Sequence, residues 1–91
     1  MPYVYEEHRP FVLTDEGQRK LLNVLSCARK AIDFGGAVMA GKLLIAAGTG
    51  DQWDCMAVVD RLVELGYLSH VTEGFANAWQ HRVFVEGRQL P

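Results

Sequence analysis

The stretch from Asp51 to Val71, DQWDCMAVVDRLVELGYLSHV, constrains the fold more than any other part of the chain. Cys55, Val58, Val59, Leu62 and Leu65 recur at three- and four-residue steps, so they share one helical face, which must be buried. Asp51 supplies a side-chain acceptor for the unpaired amides of the first turn, and Gly66 offers the left-handed conformation that ends a helix. After Gly66 the period changes to alternation across Tyr67, Leu68, Ser69, His70, Val71 and Thr72, the pattern of a half-buried strand. Neither face can stand alone in water, so the remaining residues must fold over them.

With 91 residues the chain has room for one domain. Residues 1–13 read as an N-terminal arm, 14–87 as the folded domain and 88–91 as a tail. Pro2 and Pro10 restrict the arm, and Tyr3, Val4 and Tyr5 are strand-like but too few to form an element alone. The arm is expected to pack on the body or to add a strand to a partner. The longest apolar stretch, Ala37 to Ala47, is interrupted by Gly41 and Lys42 and falls short of the ~20 apolar residues that span a bilayer. MPYVYEEHRP lacks the basic start and apolar run of a signal peptide, so no membrane association and a cytoplasmic location are expected. Cys27 and Cys55 form no CxxC pair and read as reduced structural thiols.

Thr14 caps a first predicted helix, with Asp15 and Glu16 at its positive end. Leu21, Val24, Leu25, Ala28 and Ile32 fall on its inner side; Arg19, Asn23, Ser26, Arg29, Lys30 and Asp33 make a polar outer side that reads as a solvated face or a phosphate-contacting one. Phe34, Gly35 and Gly36 break this helix, and Ala37 to Met39 read as a short strand. A second helix follows over Ala40 to Ala47, packing through Leu43, Leu44 and Ala47, and then Gly48, Thr49 and Gly50 turn the chain into the Asp51 helix. No GxxxxGK[ST] loop is present, so nucleotide binding is not expected. At the other end, Glu73 to Ala78 supply turn residues and Trp79 to Val85 read as a returning strand. A loop at Gly74 to Asn77 would set His70 opposite His81 and Thr72 opposite Trp79.

The run VVDRLVELGYLSHV, preceded by the Leu43–Leu44 helix and the glycine turn, resembles winged-helix transcription regulators, most nearly those of the MarR type. The likeness covers residues 37–85. It implies an α+β fold, a small winged helix-turn-helix of three helices with a C-terminal β-hairpin wing. It also implies that the third helix enters the major groove of double-stranded DNA. Carried over by position, Gln52 would read a base edge and Arg61 would hold a phosphate, with Arg82 on the wing strand and Arg19 and Lys30 on the first helix as further phosphate contacts. A homodimer through the first helix or the arm belongs to the same expectation.

Charge favours a second expectation. The net charge is −2, and between Met39 and Gly66 only Lys42 and Arg61 stand against Asp51, Asp54, Asp60 and Glu64. An acidic helix is repelled by phosphate. Trp53 and Met56, three residues apart and predicted to face outward, form with Asp60 and Glu64 a candidate protein-binding surface. In this reading the chain is a winged helix that contacts a protein, such as a phage or mobile-element inhibitor or adaptor, and its acidic face mimics nucleic acid towards a basic partner. No enzyme activity is expected, because no nucleophile, base and orienting group share a recognisable arrangement. No cofactor is expected, and no metal: His70, His81 and Cys55 lack the close spacing of zinc ligands.

Overall fold

In a computed structural model, which describes residues 3–71 and 79–87 (Gln80 by its backbone alone), the helix opened by Asp51 sits at the centre of an α+β domain. The order is α1 (Tyr5–Val12), α2 (Asp15–Gly35), β1 (Val38–Met39), α3 (Ala40–Ala47), α4 (Gln52–Glu64), β2 (Leu68–His70), a 3-10 turn (Trp79–His81) and β3 (Val83–Glu86). The three strands form one antiparallel sheet in the order β1-β3-β2.

Two helices begin and end where the residues dictate. Thr14 Oγ1 accepts the Gly17 amide at 3.1 Å to cap α2, and Gly36 closes that helix at φ 81°. Asp51 Oδ1 accepts the Trp53 and Asp54 amides at 2.8 and 3.2 Å to cap α4. Gly66 takes φ 85° just beyond the end of α4. The apolar faces converge on one core: Val24 and Ala28 from α2, Leu43 from α3, Val58, Val59 and Leu62 from α4, with Leu68 and Phe84 closing it from the sheet.

Two expectations are corrected. The residues read as an arm contain a fourth helix, α1, which lies along α4 and touches the start of α2. Glu6 and Glu7 sit favourably in its first turn and Arg9 in its last, but an eight-residue helix with Pro10 inside it has little stability of its own. Packing holds it: Val12 is fully buried and Phe11, Tyr3 and Tyr5 lie against the core. The passage from α1 to α2 is so close that a Cβ on Gly17 would run into the Phe11 carbonyl and the Val12 backbone.

The second correction is the strand register. His70 pairs with Phe84 rather than His81, and Ser69 pairs with Val85. Trp79 to His81 form a 3-10 turn instead of strand, closed by the Arg82 amide donating to the Trp79 carbonyl at 3.1 Å. Phe84 sets this register, because the core needs its ring buried beside Val38, where it stacks on the His70 imidazole at 5.1 Å. Gly87 fixes the far end. Its amide donates to Tyr67 at 2.9 Å, and a Cβ there would collide with the Gly66–Tyr67 backbone. The expected loop at Gly74 to Asn77 and the Thr72 pairing lie outside the described residues.

Candidate functional site

The side of α4 expected to face a partner is largely occupied by α1. Gln52 is exposed, but Met56, expected beside Trp53 on the outward side, is buried at 6% exposure, and Ala57 is fully buried. The physical reason is that α4 has two covered sides, one against α2 and α3 and one against α1. Trp53 is half-buried, its ring edge-on to Tyr3 at 6.4 Å and to His8 at 5.4 Å.

The acidic residues of α4 are engaged from the same direction. The Tyr3 hydroxyl donates to Asp60 Oδ2 at 2.5 Å, the Tyr5 hydroxyl donates to Glu64 Oε1 at 2.8 Å, and His8 Nδ1 donates to Asp54 Oδ1 at 2.9 Å. Glu64 also accepts from Arg61 on its own helix, and Arg9 approaches it at 3.5 Å. Burial pushes the Asp60 carboxyl above its ordinary range, an effect the Tyr3 hydrogen bond and the nearby Arg82 oppose. Glu64, more exposed, is held below the ordinary range by its hydrogen bonds from Tyr5 and Arg61. Burial and the Asp60 carboxylate keep the Tyr3 phenol protonated to high pH. Burial and Glu64 push Tyr5 up to about 12.

The five residues expected to meet DNA are therefore split. Arg61 is bound by Glu64, and the Arg82 guanidinium lies over the Trp79 ring at 5.7 Å. Gln52 is exposed at the start of α4, whereas Arg19 and Lys30 are exposed on the solvent side of α2. Of the four expected protein-contact residues, Trp53, Asp60 and Glu64 are engaged by α1 and the preceding Tyr3 of the same chain, and Met56 is buried.

The open apolar surface lies elsewhere. A groove of about 830 Å³ runs between α2, β1 and α3, with Cys27, Phe34, Val38, Met39 and Ile45 in its walls. Phe34 is 97% exposed and Ile45 82%, values at which a large apolar side chain adds almost nothing to the core. Lys30 and Lys42 line the same groove, and among the described residues no carboxylate does. A shallower trough of about 420 Å³ on the other side of Ser26 and Lys30 is formed by Leu22, Leu25, Arg29 and Asp33. The sequence marked Arg29 and Lys30 but not the groove. The signal available was Phe34 next to the glycine stop and Ile45 between Leu44 and Ala46, two large apolar residues off the periodic inner faces.

Lys20 was not singled out by any motif either. It is buried at 8% exposure, and its Nζ donates to the Ala47 carbonyl at 2.7 Å and to the Thr49 carbonyl. It thereby satisfies the end of α3 and the glycine turn, where Gly48 and Gly50 take φ 84° and 128°. For a metal, the nearest approach to a ligand set among the described residues is His8, Asp51 and Asp54, whose ligand atoms lie within 4.8 Å of one another. Asp51 is committed to capping α4 and His8 to Asp54, and the helix N-terminus opposes a cation there. His70 and His81 do not face each other across the strands. No helix among the described residues is long and apolar enough to cross a membrane. No protein-family model, no curated protein and no solved structure matches the chain.

Proposed function

We propose that the chain is a protein-interaction domain of winged-helix type, with α3, the glycine turn and α4 as its helix-turn-helix and β2 and β3 as the strands of its wing. Its docking surface is the α2–β1–α3 side rather than the outer side of α4. One observation carries this reading: three carboxylates on the outer side of α4 are taken up by α1 and the Tyr3 that precedes it, through the Tyr3–Asp60, Tyr5–Glu64 and His8–Asp54 contacts, so that side of the helix is covered. The open apolar side chains and the exposed Lys30 and Lys42 meanwhile share another face. Such a patch in a small domain is the usual mark of a protein contact.

A DNA-binding regulator is the second reading, favoured by Gln52 exposed in the first turn of α4 and by the exposed cations Arg19 and Lys30 on α2. In that reading α1 must leave α4 before a groove is entered. Filter retention of random and genomic DNA at low salt separates the two, because phosphate contacts are strongest there. The protein-contact reading expects no retention by the wild type. It also expects capture of a partner by immobilised wild type and by Trp53→Ala, lost with Ile45→Glu. Retention of DNA that Arg61→Ala abolishes would overturn it.

A further inference from the structure

We infer that the chain pairs with a second copy of itself through α2, the two helices antiparallel and the two-fold axis passing between Leu22 and Asn23. This rests on reading the α2 side as a protein-contact surface, and it adds a second contact there, beside the Phe34–Ile45 groove.

The solvent side of α2 carries Asp15, Glu16, Arg19, Leu22, Asn23, Ser26, Arg29 and Lys30, all exposed, in a stripe with helical spacing. Its charge is divided along its length. Asp15 and Glu16 occupy the first turn, whereas Arg29 and Lys30 stand almost four turns later. Two such helices side by side in parallel would set acid against acid and base against base. Antiparallel, with the axis between Leu22 and Asn23, each residue faces one whose number brings the sum to about 45. Asp15 then meets Arg29 of the second copy, Glu16 meets Lys30, and each contact occurs twice by symmetry. Between these ends Leu22 faces Leu22, Asn23 faces Asn23, and Arg19 lies beside Ser26, whose small side chain leaves room for it.

Other registers fit less well. Centring on Ser26 keeps a single kind of ion pair, Arg19 with Asp33, and sets Leu22 against Arg29. Centring between Arg29 and Lys30 brings the cations of the two copies together. The chosen register alone places Leu22, 65% exposed in the single chain, against an apolar neighbour while pairing every charge at the flanks. It leaves Asp33 and Phe34 beyond the overlap.

The test is a complementation of charge, read by sedimentation velocity or light scattering at moderate salt. The wild type is expected to self-associate, and more weakly as salt is raised. Arg29→Glu with Lys30→Glu makes the stripe acidic at both ends; Asp15→Lys with Glu16→Lys makes it basic at both ends. Each variant alone is expected to self-associate at least about tenfold more weakly than the wild type, and an equimolar mixture to recover pairing as a heterodimer. Leu22→Cys in a Cys27→Ser background is expected to cross-link under mild oxidant, and circular dichroism checks that every variant is folded. A wild type that stays monomeric up to about 1 mM, or variants that pair alone as well as the wild type does, overturns the inference. A monomeric wild type that still captures another protein through Ile45 overturns the self-pairing alone, whereas Arg61-dependent DNA retention overturns the protein-contact reading beneath it.

Discussion

Lys20 is the residue on which the turn between α3 and α4 depends, although nothing in its sequence context marks it. A lysine on the buried side of a helix is costly unless its three donors find acceptors. Here the turn provides two, the carbonyls of Ala47 and Thr49 at the end of α3 and in the glycine turn. Lys20→Met keeps the aliphatic bulk and removes the donors, leaving two carbonyls short of a partner. We expect a loss of about 2 kcal/mol in urea unfolding, with Arg19→Met, one residue away and exposed, changing little. The sequence reading failed at this position for a physical reason: the acceptors lie 27 and 29 residues away and are created by backbone conformation, which no residue type announces. Met56 failed in the opposite sense. The period places it off the face of Cys55, Val58, Val59 and Leu62, but burial there depends on what else covers the helix.

At the scale of elements, α2 and α4 were legible because period, cap and glycine stop agree in each, α3 from its packing residues and its Gly48 stop although Met39 gives it no side-chain cap, and the short β1 between its flanking breaks. The helix α1 was not, because its stability comes from contacts to α4 rather than from its own residues. Two consequences follow for this element. Gly17 is where α1 meets α2, and Gly17→Ala puts a methyl against backbone that cannot swing away. A destabilisation of about 2 kcal/mol is expected, and amide exchange should show it concentrated in residues 5–12. The second consequence concerns alkaline pH. Tyr5 keeps its proton up to about 12 in the folded chain, against about 10 for an ordinary phenol, because burial and Glu64 both disfavour the phenolate. Between those values the folded chain holds a proton that the unfolded chain has released, so stability falls as pH rises through that window. Tyr5→Phe should flatten this decline in thermal melts recorded at rising pH, at the cost of a lower melting temperature near neutrality from the lost hydrogen bond to Glu64. A decline equally steep in Tyr5→Phe would show that the Tyr5–Glu64 contact is not its source.

Across the whole molecule, the slight acidic surplus hides a division of labour between two sides. On the α1–α4 side, charge is internally matched: Arg9 and Arg61 meet Glu64, and hydroxyl or imidazole groups meet Asp54 and Asp60. On the α2–α3 side, Lys30 and Lys42 are exposed beside Phe34 and Ile45. Folding does not require the second arrangement. A side chain that remains 97% or 82% exposed gives up almost none of its apolar surface to the core, so Phe34→Ser and Ile45→Ser should each alter unfolding free energy by no more than about 0.5 kcal/mol. The same two changes remove bulky walls of the groove while leaving Lys30 and Lys42 in place. An anionic apolar dye such as anilinonaphthalene sulfonate combines both features the groove offers, so the folded wild type should enhance its fluorescence and the double variant should not. Equal enhancement by the two proteins would place the dye site elsewhere. A large loss of stability in the double variant would mean that Phe34 and Ile45 serve the fold after all. If stability is retained while dye binding is lost, these two residues contribute to what docks on the domain and not to what holds it together.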